Sequence, residues 1–391
     1  MFTKPITGLV LAFSLFAVSC SSDSKSTNNS GSGTQPAGTQ VSTTRVASGD
    51  AVEAGKAFPA ARCEANKAAG TITYLSSFDF AAAASIVDVL VAKQKGYFDA
   101  LCLTVAIKAS FSTANYPLIA GNQAQFSSGG SFSEVAAFAS DNPGADVVAL
   151  AIEGKTAIDA LIVKAGKATK LSDLKGATIG VKGKITPSVQ AMLAKAGLIE
   201  GTDYQTVPVQ GFDPLVHIAI PTIVGFPGYK SNEVGILDRA KIKYTLFDPS
   251  TDGIPGSFGI VYSNRVFMTA HPSAAEDFMR ATMQGLADAI ADPAAAAKIA
   301  LGMIDSNGNP NFLSADGETF RWQTESKLVA SNTPAGKPVG LPDAAGLQAE
   351  IDAYAKIGLF GGKAPDISHR YDASVLTAIY DAAGKVIWPS K

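Results

Sequence analysis

The feature that most restricts this fold is an alternation of short strands and helices that runs once, stops and starts again. Thr71–Ser77 (TITYLSS) reads as a β-branched strand, and Ala81–Lys95 as a helix ended by Gly96. Strands follow at 101–107, 124–128 and 147–152, with helices at 117–120 and 131–139 between them. The pattern restarts with strands at 160–163, 178–181, 205–209 and 244–247. Within that second run, Thr186-Pro187-Ser188 reads as an N-cap with proline at the first helical position, opening a helix to Ala196. Residues 258–262 read as a return strand, and helices follow at 273–290, 294–305, 318–329, 344–357 and 373–383. Strands alternating with helices require a mostly parallel sheet in each half. A chain that leaves one α/β lobe, builds a second and returns is a two-lobe clamp hinged on two connecting strands. Ligands of such sheets lie beyond the carboxyl ends of the strands.

Composition narrows the partners. Of 391 residues 17% are charged and the net charge is −2, with no basic cluster, so no nucleic-acid partner is expected. Beyond the N-terminus, no stretch approaches the roughly 18–20 apolar residues of a membrane helix. The longest candidate, 287–300, carries Asp288, Asp292, Pro293 and Lys298 and reads as a helix of the folded body. The three histidines (His217, His271 and His369) are not spaced for a metal site, and no metal or cofactor is expected. Neither a dinucleotide or P-loop fingerprint nor a nucleophile elbow is present, and no covalent chemistry is expected.

The N-terminus reads as an export signal. Lys4 precedes an apolar run from Ile6 to Val18, and the run closes on Ala17-Val18-Ser19-Cys20. This resembles the lipobox of bacterial lipoproteins, which implies removal of residues 1–19 and acyl chains on Cys20. A durable anchor on the extracytoplasmic face of the cell membrane follows, since each buried CH2 contributes roughly 0.8 kcal/mol. The alternative is a cleaved, unanchored secreted form. Residues 20–57 then form a leash of Ser, Thr, Asn, Gly, Gln and Pro, too polar to offset its ordering entropy. The folded body is expected from near Phe58, with one lobe at 58–157, the second at 158–261, and a return to the first over 262–391. With Cys20 acylated, Cys63 and Cys102 are the thiols left in an oxidising compartment and are expected to pair.

Several phrases, in order, resemble one family: Lys95-Gly96-Tyr97-Phe98, the run from Ile119 to Phe126 (IAGNQAQF), Leu171-Ser172-Asp173-Leu174-Lys175-Gly176, and Asn264–Phe267 followed by His271-Pro272. They look like the solute-binding proteins of ABC importers for thiamine pyrimidine precursors, sulfonates, taurine and nitrate. The resemblance covers roughly residues 70–300. It implies a type II periplasmic-binding-protein clamp that hands a small molecule to an ABC permease and ATPase. Ser231-Asn232-Glu233 followed by Asp252-Gly253-Ile254-Pro255 is similar to the pyrimidine-precursor branch, so a thiamine pyrimidine precursor or similar heteroaromatic is the implied ligand. A sulfonate-type anion, or an enzyme such as a pyrimidine synthase on the same fold, is the alternative.

Ligand-binding candidates are residues beyond strand ends and at helix starts, where N–H groups receive polar or anionic atoms. Phe78, Asp79 and Phe80 offer aromatic faces and a carboxylate, or else two core rings and a cap. Ser128, Gly129 and Gly130 let backbone approach a ligand closely, or else make a plain turn. Thr186 faces the cleft by the same logic, unless it is a simple cap. Tyr229, Asn232 and Glu233 present the donors and acceptors suited to an aminopyrimidine edge, unless they form a solvated loop. Glu153, at the last strand end before the crossover, is a fifth candidate. Arg321-Trp322, flanked by Glu318 and Glu325, offers a cation and an indole, although helical ion pairing explains Arg321 equally well.

Overall fold

The computed structural model describes residues 50–307 and 314–390. The export signal, Cys20 and the polar leash to residue 49 lie outside the described residues. The chain lays down α1 (Ala60–Ala68), β1 (Thr71–Leu75), α2 (Val87–Gln94), α3 (Tyr97–Ala100), β2 (Thr104–Lys108), α4 (Ser112–Ala120), β3 (Phe126–Gly129), α5 (Phe132–Asp141) and β4 (Val147–Gly154). Past 155–158 come β5 (Asp159–Lys164), β6 (Thr178–Val181), α6 (Pro187–Lys195), β7 (Gln205–Pro208), α7 (Pro214–Ala219), β8 (Gly225–Tyr229), α8 (Glu233–Arg239) and β9 (Tyr244–Phe247). Residues 248–257 lead back to β10 (Phe258–Asn264). After it come α9 (Arg265–Ala270), α10 (Pro272–Ala291), α11 (Pro293–Asn307), α12 (Ala315–Ser331), α13 (Ala344–Ala355) and α14 (Ser374–Ile379).

Two five-stranded sheets result, ordered β2-β1-β3-β10-β4 and β7-β6-β8-β5-β9. With the strand that arrives from the other half left out of the count (β10 in the first sheet, β5 in the second), both read second, first, third, fourth, and the arriving strand lies between the third and fourth in each. In each, four strands run the same way and one is reversed: β10 runs antiparallel to β3 and β4, and β5 antiparallel to β8 and β9. The reason is geometric. The other strands end toward the crossings, whereas β5 and β10 arrive from the opposite half and start there. The return to the first sheet begins at Phe258, inside the stretch expected to close the second lobe.

Strand alternation buries both faces of each sheet. On β4, Val148 and Leu150 join the core beneath α2, α10 and α12, while Val147 and Ala149 join the core beneath α4 and α5. In the second sheet, Leu161 and Val163 of β5 face one core and Ile162 the other. Helix α13 spans the halves: Leu347 and Ile351 pack on the first sheet, and Tyr354 packs with the second and donates to Pro255 O (3.1 Å).

The ordered body begins earlier than Phe58. Val52 is buried, and Gly55 N–H bonds Trp388 O at 2.9 Å. At the amino ends of the first sheet's strands, a disulfide joins Cys63 of α1 to Cys102 just before β2. Beside it Arg62 of α1 meets Asp277 of α10 at 2.6 Å and Glu276 at 2.8 Å, and Arg280 pairs with the same two carboxylates. The 287–300 stretch is broken between α10 and α11 at Asp292-Pro293. Among the described residues, no helix is long and apolar enough to cross a membrane.

Candidate functional site

The site is the edge where strand ends of both halves meet, and the segment after β1 sets its floor. Residues 81–86 are not the expected helix; α2 starts only at Val87. Their N–H groups are drawn to side-chain acceptors instead: Ala82 donates to Glu318 Oε2 (2.8 Å), Ala84 to Glu325 Oε2 (2.6 Å) and Ser85 to Glu153 Oε2 (3.0 Å). A buried carboxylate competes effectively for an N–H because a charged acceptor bonds more strongly than a neutral carbonyl.

Phe80 is a core residue, packed against the helices under the first sheet. Phe78 is half-buried and meets Phe111 edge-on with ring centres 6.0 Å apart, and Phe111 is 45% exposed. Asp79 is held in a left-handed turn, φ 43°, with its carbonyl accepting from the Ser76 hydroxyl.

The turn after β3 is similarly closed. Ser128 is fully buried and its Oγ accepts from Ser77 N–H at 2.6 Å. Gly130 lets the Glu134 carboxylate lie close to the backbone, since a Cβ there would sit 2.6 Å from Glu134 Oε1 and push it aside. Glu134 Oε2 accepts from Gly130 N–H (3.3 Å) and from the Tyr116 hydroxyl (3.4 Å). Phe132 and Ser133 N–H at the start of α5 are taken by Ser257 Oγ (2.8 Å) and Glu350 Oε1 (3.0 Å).

On the second half, Thr186 holds the expected N-cap position of α6 ahead of Pro187, but its side chain makes no cap hydrogen bond. Its hydroxyl, like that of Ser188, donates to Asp159 at the head of β5. Glu233 accepts from Tyr229 N–H (2.8 Å) and from Lys182 Nζ (2.7 Å), and Lys182 lies 5.3 Å from the exposed Phe212 ring. Ser231 Oγ donates to Glu325 Oε1 (2.7 Å), and Arg321 approaches Asn232 Oδ1 (3.5 Å) while pairing with Glu318 (2.6 Å). Helix α12 therefore touches both halves through one carboxylate, Glu325. Its approach to α8 is close: a Cβ on Gly235 would lie 2.3 Å from Phe320.

The structure thus brings Tyr229, Asn232, Glu233, Thr186 and Gly130 to one edge. It corrects Glu153, which is 1% exposed and lies against Asp88 beneath the 81–86 segment rather than on the cleft surface. Trp322 is likewise core, its Nε1–H bonded to Ala289 O at 2.8 Å. Glu318 is buried at 1%, not the exposed helix residue that i,i+3 pairing suggested. The edge also holds Phe111, Glu134, Asp159, Lys182, Phe212 and Glu325, which no local motif marked. Asp159 and Lys182 could have been found as polar residues flanking strands at their cleft ends. Glu325, 94 residues from Ser231, left no such trace.

Electrostatics at this edge are dominated by carboxylates. Burial pushes the pKa values of Glu134, Glu325 and Glu350 above the usual range. Tyr229 is 47% exposed, and desolvation together with the nearby carboxylates of Glu134, Asp159, Glu233 and Glu325 raises its pKa strongly. Among the described residues, no cluster of His, Cys, Asp and Glu is arranged to hold a metal ion.

Two sheets of corresponding order, an exchanged strand in each, and polar strand ends meeting at a shared edge define a periplasmic-binding-protein clamp. The solved aliphatic sulphonate binding protein SsuA of Escherichia coli has this fold at a TM-score of 0.57 and 13% identity, over 77% of this chain and 91% of that one. The desulfurization enzyme DSZB shares it at 0.53 and 13%, over 78% and 97%. The family model described as NMT1/THI5 like matches residues 83–296, and the chain belongs to that family. The riboflavin-binding protein RibY of Chloroflexus aurantiacus is 29% identical over 142 residues; the match spans 34% of this chain and 38% of that relative.

Proposed function

We propose that this protein is an extracytoplasmic solute-binding protein that captures a small planar heteroaromatic molecule for an ABC permease and ATPase, tethered to the membrane through Cys20. The observation that carries the reading is the pairing, at the shared edge, of exposed aromatic faces (Tyr229, Phe111 and Phe212) with an array of hydrogen-bond acceptors. Stacking on such faces contributes about 0.5–1.5 kcal/mol beyond burial, and acceptors fix the ligand's orientation. Family membership and the likeness to a riboflavin-binding relative support the same class of ligand. A thiamine pyrimidine precursor is the narrower choice within it, favoured by the Ser231-Asn232-Glu233 phrase. The function is binding and release without covalent chemistry: the carboxylates at this edge hold backbone and hydroxyl donors, and Cys63 and Cys102 are joined to each other.

Mass spectrometry of small molecules released by denaturing the purified full-length protein tests this. One equivalent of a heteroaromatic compound is expected. A protein that carries nothing, and takes up no pyrimidine or flavin offered to it, contradicts the reading.

A further inference from the structure

A helix start at a strand end is the natural seat of an oxyanion, because its N–H groups lack partners within the helix. Around α2 and α5 those seats are occupied by the chain itself. Before α2, the N–H groups of Ala82 and Ala84 donate to Glu318 and Glu325. At α5, Gly130 and Ser133 N–H donate to Glu134 and Glu350, and Phe132 N–H to Ser257. At α6, the Thr186 and Ser188 hydroxyls turn to Asp159. Two of the cations near the edge are also engaged, Lys182 with Glu233 and Arg321 with Glu318.

We propose that these internal carboxylates act as built-in counter-ions that make the clamp selective for an uncharged or cationic planar ligand and exclude oxyanions. The inference rests on the reading of this edge as a ligand site and names the class of ligand it takes. An arriving sulfonate, phosphate or nitrate finds the donors before α2 and α5 occupied and carboxylates facing it, and like-charge juxtaposition across a desolvated interface is strongly unfavourable. A ligand with N–H or O–H donors finds the opposite. An ionised carboxylate offers about four acceptor positions, so the exposed Glu134, which holds two donors, can accept more. The exposed Tyr229 face lies near it.

The test is calorimetric titration of the ligand-stripped full-length protein with riboflavin and 4-aminopyrimidine on one side, and butanesulfonate and MOPS on the other. An uncharged compound is expected to bind at least about 100-fold more tightly than either sulfonate, the scale on which such like-charge contacts discriminate. The Glu134→Gln/Glu233→Gln double variant keeps the shape at both positions and removes the charge, so it should gain at least about tenfold in sulfonate affinity. A sulfonate that binds the native protein best overturns the selectivity while leaving the binding role standing. A double variant that unfolds cooperatively like the native protein yet still refuses sulfonate also overturns it, because shape rather than charge then excludes the anion. If none of the four compounds binds and none is retained on purification, the binding role fails and this inference with it.

Discussion

Two carboxyls pressed together in a core are compatible with folding only when a proton is kept with them. Asp88 and Glu153 are each at most 1% exposed, and neither oxygen of Asp88 nor Glu153 Oε1 has a hydrogen-bond partner elsewhere in the protein. Burial raises both pKa values, that of Asp88 to about 6, and proximity to Asp88 raises Glu153 further. In the unfolded chain both ionise near pH 4. The folded state holds the proton to higher pH, so this contribution to stability is complete below about pH 4 and is lost as pH rises through 6. Glu153→Gln keeps an acceptor for Ser85 N–H and a donor for Asp88 without needing the proton. Relative to the native protein it should gain about 1–3 kcal/mol of stability between pH 4 and pH 8. Urea unfolding at pH 4, 6 and 8 measures this; parallel pH profiles for the two proteins would count against it. The sequence marked Glu153 by its place at a strand end, but nothing local reveals that its partner is Asp88.

At the scale of elements, periodicity was enough where strands are β-branched and long-range pairing agrees with local preference. The expected strands at 178–181 and 244–247 coincide with β6 and β9. β8 was not legible, because Gly225-Phe226-Pro227-Gly228-Tyr229 violates strand preference. Pro227 is tolerated for a specific reason. Opposite Leu161 it occupies a non-hydrogen-bonded pair, so its absent N–H points toward β6, whose pairing with β8 stops at Gly225. The late start of α2 was equally hidden, since it depends on carboxylates more than 230 residues away.

The brace between α1 and α10 is another long-range feature that sequence alone could not show. Asp277→Ala leaves two buried guanidiniums, Arg62 and Arg280, to share Glu276 alone and should cost about 3–5 kcal/mol. Reduction of Cys63–Cys102 removes a loop closure worth about 3–4 kcal/mol. Both lie at the amino ends of the strands, so thermal unfolding should shift in each case while affinity for a bound heteroaromatic stays within about twofold, below the approximately 1.4 kcal/mol that a tenfold change requires. A tenfold loss of affinity in either case would place the site elsewhere.

On the scale of the whole molecule, the two halves are joined by more than their crossings. Glu325 bonds Ala84 of the first half and Ser231 of the second, and α13 packs on both sheets. The residues that carry these bridges lie in C-terminal helices beyond the matched family region, and the alternation that announced a clamp says nothing about them. The tether is a separate expectation. Cys20→Ala should move the protein from the membrane fraction to the soluble extracytoplasmic fraction with its unfolding midpoint unchanged; a variant that still sediments with membranes after a salt wash contradicts acylation there. The central claim is that the edge shared by the two halves is where the ligand binds. Calorimetric titration of the ligand-stripped native protein and its Tyr229→Ala variant with the heteroaromatic recovered from the native protein tests it most directly. Loss of the exposed ring should weaken binding about ten- to a hundredfold while leaving the unfolding midpoint in place, whereas equal affinities for the two proteins would contradict the assignment of the site.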